Sequence, residues 1–309
     1  MKSIAQNQFP ITVWREGKKY LWNPIHRKTL KNRPEERVRL RIIESLIQCG
    51  WSKHRITTEE AIKDYAESNL RTDIICYNQE FEPQILAECK AENISLNSKT
   101  AEQIARYNQN VQAPYLLITN GSTDLWYQIN IEEDKVESLD TLPHMLSTPE
   151  ITTGNFEYWN QRGFAGSKAS PQLRKWLVPL LQQFHSGSMD TVKYLQFNKS
   201  PSDLNLSHYY QIVAFGDRKI ALTFLNTPYG GTRMIAILNE EGVNKAAAEI
   251  NLDLIFEREK PDTTIYSSEG LKNLIFSDYS ADLFNEGTQH DLKEISVQIE
   301  KVFRDNLNV

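Results

Sequence analysis

Short β-rich runs alternate with helical segments over residues 34–130, and this order restricts the possible folds more than any other feature of the sequence. Proline in a first turn, two acids after it and apolar residues at helical spacing predict a helix from Pro34 to Gly50. Strands are predicted in RTDIICYN, PQILAECKA, APYLLITNG and STDLWYQIN, with a helix in SKTAEQIARYNQNV. The sequence therefore predicts an α/β (α+β) fold with a mixed sheet flanked by helices.

The second half of the chain differs in character. Residues 131–155 are acidic and then polar, which predicts a boundary between a first domain at 1–150 and a helical connector at 151–190. Pro179 is expected to kink or cut the connector helix. A β-rich domain of unknown role is predicted at 191–309, with a hairpin across Gly216-Asp217 and an amphipathic helix at the end of the chain.

The charge of the chain is unevenly distributed. The net charge is −5, but residues 1–55 carry 13 Lys and Arg against 4 Asp and Glu. The overall acidity argues against a protein that coats nucleic acid, whereas the basic N-terminal block suits either local phosphate binding or a solvated helix face. No run is long and apolar enough for a membrane span, and three cysteines without a C-x-x-C pair argue against a disulfide framework or a zinc site. We therefore expect a cytoplasmic protein without a membrane partner.

Two neighbouring predicted strands carry charged residues inside apolar runs. Asp73 lies in RTDIICYN, and Glu88, Cys89 and Lys90 lie in PQILAECKA. Alternation places Glu88 and Lys90 on one face and Cys89 in the core. Two carboxylates and the Cys89 backbone carbonyl suit Mg²⁺, or Mn²⁺ in its place, with Lys90 available to orient water or stabilise charge on a phosphate. An ordinary ion pair at a sheet edge is the alternative interpretation.

The run WNPIHRKTLKNRPEERVR, followed by RTDIICYN, AECKAENISLNSKTAEQIARYN and APYLLITNG, resembles the N-terminal nuclease domain of type I restriction enzyme R subunits. More broadly it is similar to the PD-(D/E)xK nuclease superfamily. The resemblance implies a restriction-endonuclease-like core in which Asp73 and Glu88 bind a divalent metal and Lys90 assists the attacking water. It also implies a strand in RITTEEAIKDY, where propensity alone would allow a helix.

Three further residues gain roles from this resemblance. Gln103 and Tyr107 match a Q-x-x-x-Y element that follows the E-x-K strand, and Glu36 is similar to the acid on the first helix that approaches the metal. Without the resemblance, Gln103 and Tyr107 fit the polar side of a helix that buries Ile104. Basic residues near the first helix fit a phosphate-contacting surface: Arg27, Lys28, Lys31, Arg33, Arg37, Arg39 and Arg41.

The sequence departs from R subunits in one respect. No G-x-x-x-x-G-K-[ST] motif is present, so translocation driven by ATP is not expected. The leading hypothesis is a Mg²⁺-dependent deoxyribonuclease of restriction or defence type that acts on DNA. The alternatives are a non-catalytic nucleic-acid-binding protein that retains the nuclease fold, and an oligomerisation protein in which C-terminal strands pair in a homodimer.

Overall fold

The protein is described here by a computed structural model. It describes residues 1–61, 71–97, 104–105, 108–130, 135–148, 154–186, 191–198, 200–201, 204–256, 260–284 and 290–307. The chain forms two compact units, the first comprising Met1–Val13 and Tyr20–Ile151 and the second comprising Trp14–Lys19 and Thr152–Val309.

The chain begins with a three-stranded sheet in the order β1, β2, β3, formed by Thr12–Arg15, Lys18–Asn23 and Lys28–Lys31. The first hairpin turns at Glu16 and Gly17, which both have positive φ, as required for the tight turn that suits twisted strands. Helix α1 then covers Pro34–Gln48, as predicted. It buries Val38, Ile42 and Leu46 along one side, and a short 3₁₀ turn at Lys53–Arg55 leads to the main sheet.

The main sheet of the first unit has six strands in the order β4 to β9. These strands are Ile56–Ala61, Arg71–Tyr77, Pro83–Cys89, Tyr115–Thr119, Asp124–Asn130 and Lys135–Leu139. All neighbours are antiparallel except β6 and β7, which are parallel. Residues 104–105 and 108–111, which are helical, lie in the connection between these two parallel strands.

Two sequence expectations can be compared directly with these elements. Ile56–Ala61 is a strand, so the assignment taken from the resemblance is confirmed over helical propensity at these residues. By contrast, the acidic stretch after residue 131 is not wholly a connecting segment, because Lys135–Leu139 pairs with β8 and forms an edge of the sheet. Exposed and polar strands of this kind lack the apolar alternation on which strand prediction depends.

The two faces of the six-stranded sheet have separate apolar clusters. One contains Ile74, Ala87 and Cys89 together with α1 residues such as Ile42. The other contains Ile75, Leu86 and Ile118 together with Ile104 from the connection. The predicted mixed sheet flanked by helices is therefore confirmed.

The second unit contains a seven-stranded antiparallel sheet in which β10 to β16 follow one another in sequence order. The strands are Val192–Leu195, His208–Phe215, Arg218–Asn226, Thr232–Glu240, Val243–Asn251, Thr263–Ser267 and Gly270–Leu274. The helices of this unit are α2 (Phe156–Gln161), α3 (Pro171–Ser186), α4 (Ser277–Ser280) and α5 (Leu292–Asn306), with a 3₁₀ turn at Ala281–Phe284. The β-rich C-terminal domain and its terminal helix are thus confirmed.

Of the two long helices of this unit, one departs from its local sequence signal and the other follows it. Helix α3 continues through Pro179, so of the predicted kink or cut the cut does not occur, and Leu177, Leu180 and Leu181 stay buried on either side of the proline. Helix α5 begins with a capping box in which Asp291 and Glu294 each accept a hydrogen bond from the other's backbone N–H. No helix among the described residues combines the length and apolarity needed to cross a membrane.

Candidate active site

Asp73 and Glu88 lie at the same end of the β5–β6 strand pair. The antiparallel register pairs Ile74 with Ala87, so Asp73 and Glu88 are the next residues along each strand. A hydrogen bond of 2.7 Å from the Cys89 backbone N–H to Asp73 Oδ2 ties the two strands together at this point. The two acids predicted from the sequence are therefore brought together by strand register and fixed by a hydrogen bond.

Strand alternation places Glu88 and Cys89 on opposite faces of the sheet. Cys89 is buried in the apolar cluster that includes α1 residues, as predicted. Glu88 alternates with it and shares its face with Leu86, which belongs to the cluster on the opposite side of the sheet. Only 8% of the Glu88 side chain is exposed, so its carboxylate is largely removed from water.

Lys90 is close to Glu88. The Lys90 ammonium lies 2.6 Å from Glu88 Oε1, and the Lys90 backbone N–H donates to the Thr119 carbonyl on the parallel neighbour strand. Burial acts to lower the pKa of Lys90, but the hydrogen bond and charge of Glu88, with the charge of Asp73, outweigh it and raise that pKa. Lys90 therefore keeps its proton at neutral pH.

Burial also affects the two acids. Desolvation raises the pKa of Asp73 above its usual range, although the charge of Arg39 and the bond from Cys89 oppose the shift. Desolvation and the charge of Asp73 raise the pKa of Glu88 to about 7, although Lys90 opposes this. Two partly buried carboxylates with raised pKa values are typical of a site that gains stability from an added cation.

Glu36 and Arg39 connect helix α1 to this pair of acids. Arg39 Nη2 lies 2.5 Å from Glu36 Oε1, and Arg39 Nε lies 3.5 Å from Asp73 Oδ1. Glu36 is buried and forms an ion pair with Arg39. Glu36 is thus linked to Asp73 through a cation.

Sequence reasoning did not assign Glu35 to the site. Glu35 is exposed, and its negative charge contributes to the raised pKa of Asp73, Glu88 and Lys90. The available signal was spacing, because Glu35 and Arg39 are four residues apart and therefore share a helix face. The first turn of α1 accordingly supplies an acid, Glu35, whose charge acts on Asp73, Glu88 and Lys90.

The predicted phosphate-contacting surface is wrong for three of its arginines. Arg37, Arg39 and Arg41 are buried, and Arg41 is fully enclosed. Arg41 donates to Glu92 Oε1 at 2.7 Å and to the carbonyls of Ala5 and Gly121. Four basic residues of that set remain exposed: Arg27, Lys28, Lys31 and Arg33. Charge counting cannot distinguish an arginine that satisfies internal acceptors from one that faces solvent.

Gln103 and Tyr107, the predicted Q-x-x-x-Y pair, lie outside the described residues. Their neighbour Ile104 is buried against the face of the sheet that carries Leu86 and Ile75. Ile104 therefore lies on the same side of β6 as Glu88.

The oxygen donors at the end of β5 and β6 fit a hard divalent cation. Within the described part of the chain, no three His, Cys, Asp or Glu side chains are grouped closely enough to hold a metal ion. A cation bound by Asp73 and Glu88 would need the Cys89 carbonyl and water as its remaining ligands. Mg²⁺ is commonly bound in this way, by one or two carboxylates with several retained waters.

Comparison with known proteins agrees with the geometry in the first unit. Residues 34–143, from the start of α1 past the end of β9, match the family described as type I restriction enzyme R protein N terminus (HSDR_N). The resemblance found in the sequence is thereby confirmed for this segment, which supports a restriction-related nuclease or DNA-binding role. No curated protein and no solved structure matches the chain.

Proposed function

We propose that the first unit is a divalent-metal-dependent deoxyribonuclease domain of restriction or defence type that hydrolyses DNA phosphodiester bonds. The observation that carries this proposal is the arrangement of Asp73, Glu88 and Lys90 at one end of the β5–β6 pair, fixed by the Cys89-to-Asp73 hydrogen bond. This arrangement lies inside the segment that matches the restriction-subunit family.

Each side chain has a role that follows from its chemistry. Asp73, Glu88 and the Cys89 carbonyl would hold Mg²⁺ or Mn²⁺, which when bound stabilises negative charge on phosphate oxygens. Water attacks phosphorus as the bond to the leaving oxygen breaks, which gives a phosphate monoester and a free hydroxyl group. Because the raised pKa of Lys90 keeps it protonated, Lys90 suits charge stabilisation and water orientation better than proton abstraction.

Glu36, Gln103 and Tyr107 complete the proposed site. Glu36 positions Arg39 against Asp73, while the amide of Gln103 and the phenol of Tyr107 would contact DNA phosphate or Lys90. The exposed basic residues Lys31 and Arg33, which flank the start of α1, provide charge for DNA binding.

A cleavage assay tests the proposal. Purified protein is incubated with supercoiled, linear, single-stranded and methylated DNA in the presence of Mg²⁺, Mn²⁺ or EDTA. We expect metal-dependent product from at least one of these substrates and none with EDTA or with the Asp73→Asn variant. Product formation that persists in EDTA would contradict the metal requirement.

A non-catalytic nucleic-acid-binding role is the second candidate, and one observation favours it. Lys90 is bound to Glu88, and Arg39 is close to Asp73, so both acids already have cationic partners in the fold. A protein that keeps this fold only for binding would bind DNA without cutting it. Gel-shift binding with no product on any of the substrates above would select this alternative.

A further inference from the structure

Arg39 lies between an acid of α1 and an acid of β5. Its Nη2 atom is 2.5 Å from Glu36 Oε1, and its Nε atom is 3.5 Å from Asp73 Oδ1. Only 8% of its side chain is exposed, so the guanidinium contacts acids of its own unit instead of DNA. One buried cation thus lies close to two carboxylates.

The position of Arg39 relative to Asp73 determines its effect on a bound metal. Asp73 Oδ2 accepts the hydrogen bond from the Cys89 backbone, so Arg39 approaches the other carboxylate oxygen, Oδ1. A divalent ion bound at this carboxylate would lie within a few ångströms of the guanidinium. Like charges at such a distance repel strongly in a partly buried site, because little water screens them.

We propose that Arg39 is a built-in counter-cation that stabilises the metal-free site and thereby lowers its affinity for the divalent ion. The inference rests on the proposed metal-dependent function of Asp73 and Glu88. In the metal-free protein Arg39 neutralises acids that would otherwise repel one another. When metal binds, the same positive charge opposes it, so that the site binds the divalent ion more weakly than it would without Arg39.

The test is a comparison of metal affinity and metal-free stability in Arg39→Gln and the unaltered protein. Mn²⁺ is titrated against each protein and followed by calorimetry and by electron paramagnetic resonance of free Mn²⁺. Without Arg39 we expect roughly tenfold tighter Mn²⁺ binding, together with a lower Tm in EDTA that saturating Mn²⁺ largely restores.

Arg37→Gln is the matched control. Arg37 is a buried arginine of the same helix, and its Nε lies 3.8 Å from Oε2 of Glu92, which is not a predicted metal ligand. This variant should lower the Tm in EDTA without changing Mn²⁺ affinity. If Arg39→Gln does not fold, the same comparison is made between E36Q and the E36Q/R39Q double variant, which again isolates the charge of Arg39.

The outcomes separate this inference from the proposed function. Unchanged or weaker Mn²⁺ binding in Arg39→Gln, with normal binding by the unaltered protein, would overturn the role of Arg39 alone. Equal tightening in Arg37→Gln would also overturn it, because the effect would then not depend on Asp73. Absence of Mn²⁺ binding to every variant would overturn both this inference and the metal-dependent function.

Discussion

Glu88 illustrates how a single residue in this protein can be both costly for folding and suited to function. Its carboxylate is nearly enclosed and is close to the charge of Asp73, and together these raise its pKa to about 7. Lys90 lowers the pKa of Glu88 but offsets only part of this increase. A carboxylate that the fold itself leaves unfavourable is a reasonable site for an external cation, since the cation would remove the penalty.

The pH dependence of stability should report this penalty. The pKa of Glu88 is raised from its usual value of 4.5 to about 7 in the folded protein. Preferential protonation of the folded state therefore stabilises the protein fully below pH 4.5, and this stabilisation is lost as the pH rises through 7. Glu88→Gln removes this titration. In EDTA only the unaltered protein should lose this stabilisation between about pH 4.5 and pH 8. The free energy of unfolding of Glu88→Gln minus that of the unaltered protein should therefore rise by up to about 3 kcal/mol over this range. Urea unfolding at several pH values measures it, and a difference that stays constant with pH would refute the assignment.

Glu35 allows a second test at the scale of one side chain. Its charge acts on Asp73 and Glu88 from an exposed position, so Glu35→Gln should fold normally and weaken Mn²⁺ binding by a few-fold. Glu80→Gln is the control, since Glu80 is an exposed acid of the turn between β5 and β6. Equal effects of the two substitutions on Mn²⁺ affinity would show that only net charge matters.

At the scale of elements, helix α1 is fixed to the sheet by Arg41, which bonds to the backbone in the turn between β7 and β8. Gly121 in that turn has φ of 78°, and a Cβ added there would lie 2.8 Å from Arg41 Nη1. The residue must therefore be glycine both for its backbone conformation and for the approach of the arginine.

Gly121→Ala should consequently destabilise the first unit by about 2–4 kcal/mol, because it combines a strained backbone with displacement of a buried guanidinium. Gly50→Ala is the control, since Gly50 also has positive φ but nothing lies within 4 Å of the added Cβ. It should cost only about 1 kcal/mol, as expected for backbone strain alone. Similar losses in denaturant melts of the two variants would contradict the role given to Arg41.

The elements that the sequence predicted well are those with strong local signals. Proline and acids mark the start of α1, and apolar runs mark β5 to β8. Strand β9 was not predicted because its residues are exposed and charged, and only pairing with β8 makes them a strand. The burial of Arg41 was not predicted either, since its acceptors come from Ala5, Gly121 and Glu92, which are distant in the sequence.

The same distinction applies to the candidate site. Period-two alternation placed Glu88 and Lys90 together on one face, and the ion pair between them agrees with that placement. The position of Arg39 between Glu36 and Asp73 depends on how α1 packs on the sheet, which no local pattern specifies. The charge of Glu35 acts on the same acids, and its spacing from Arg39 is the one local signal for it.

At the scale of the whole molecule, the family match and the candidate site both lie in the first unit. Residues 34–143 carry the match, whereas the second unit is a seven-stranded meander with its own helices. The net charge of −5 is therefore a poor guide to partners, because the basic N-terminal residues and the acidic remainder belong to different parts of the chain. We expect chemistry to depend on the first unit.

The most direct test of the central claim is the cleavage rate of Lys90→Ala beside that of Lys135→Ala, each on the DNA substrate that the unaltered protein cuts. Lys135 is an exposed lysine of the same unit, and its ion pair with Glu137 is solvated. We predict that Lys90→Ala retains its circular dichroism spectrum and loses at least about 100-fold in Mg²⁺-dependent cleavage, while Lys135→Ala cleaves normally. Cleavage by folded Lys90→Ala at the rate of the unaltered protein would contradict the account.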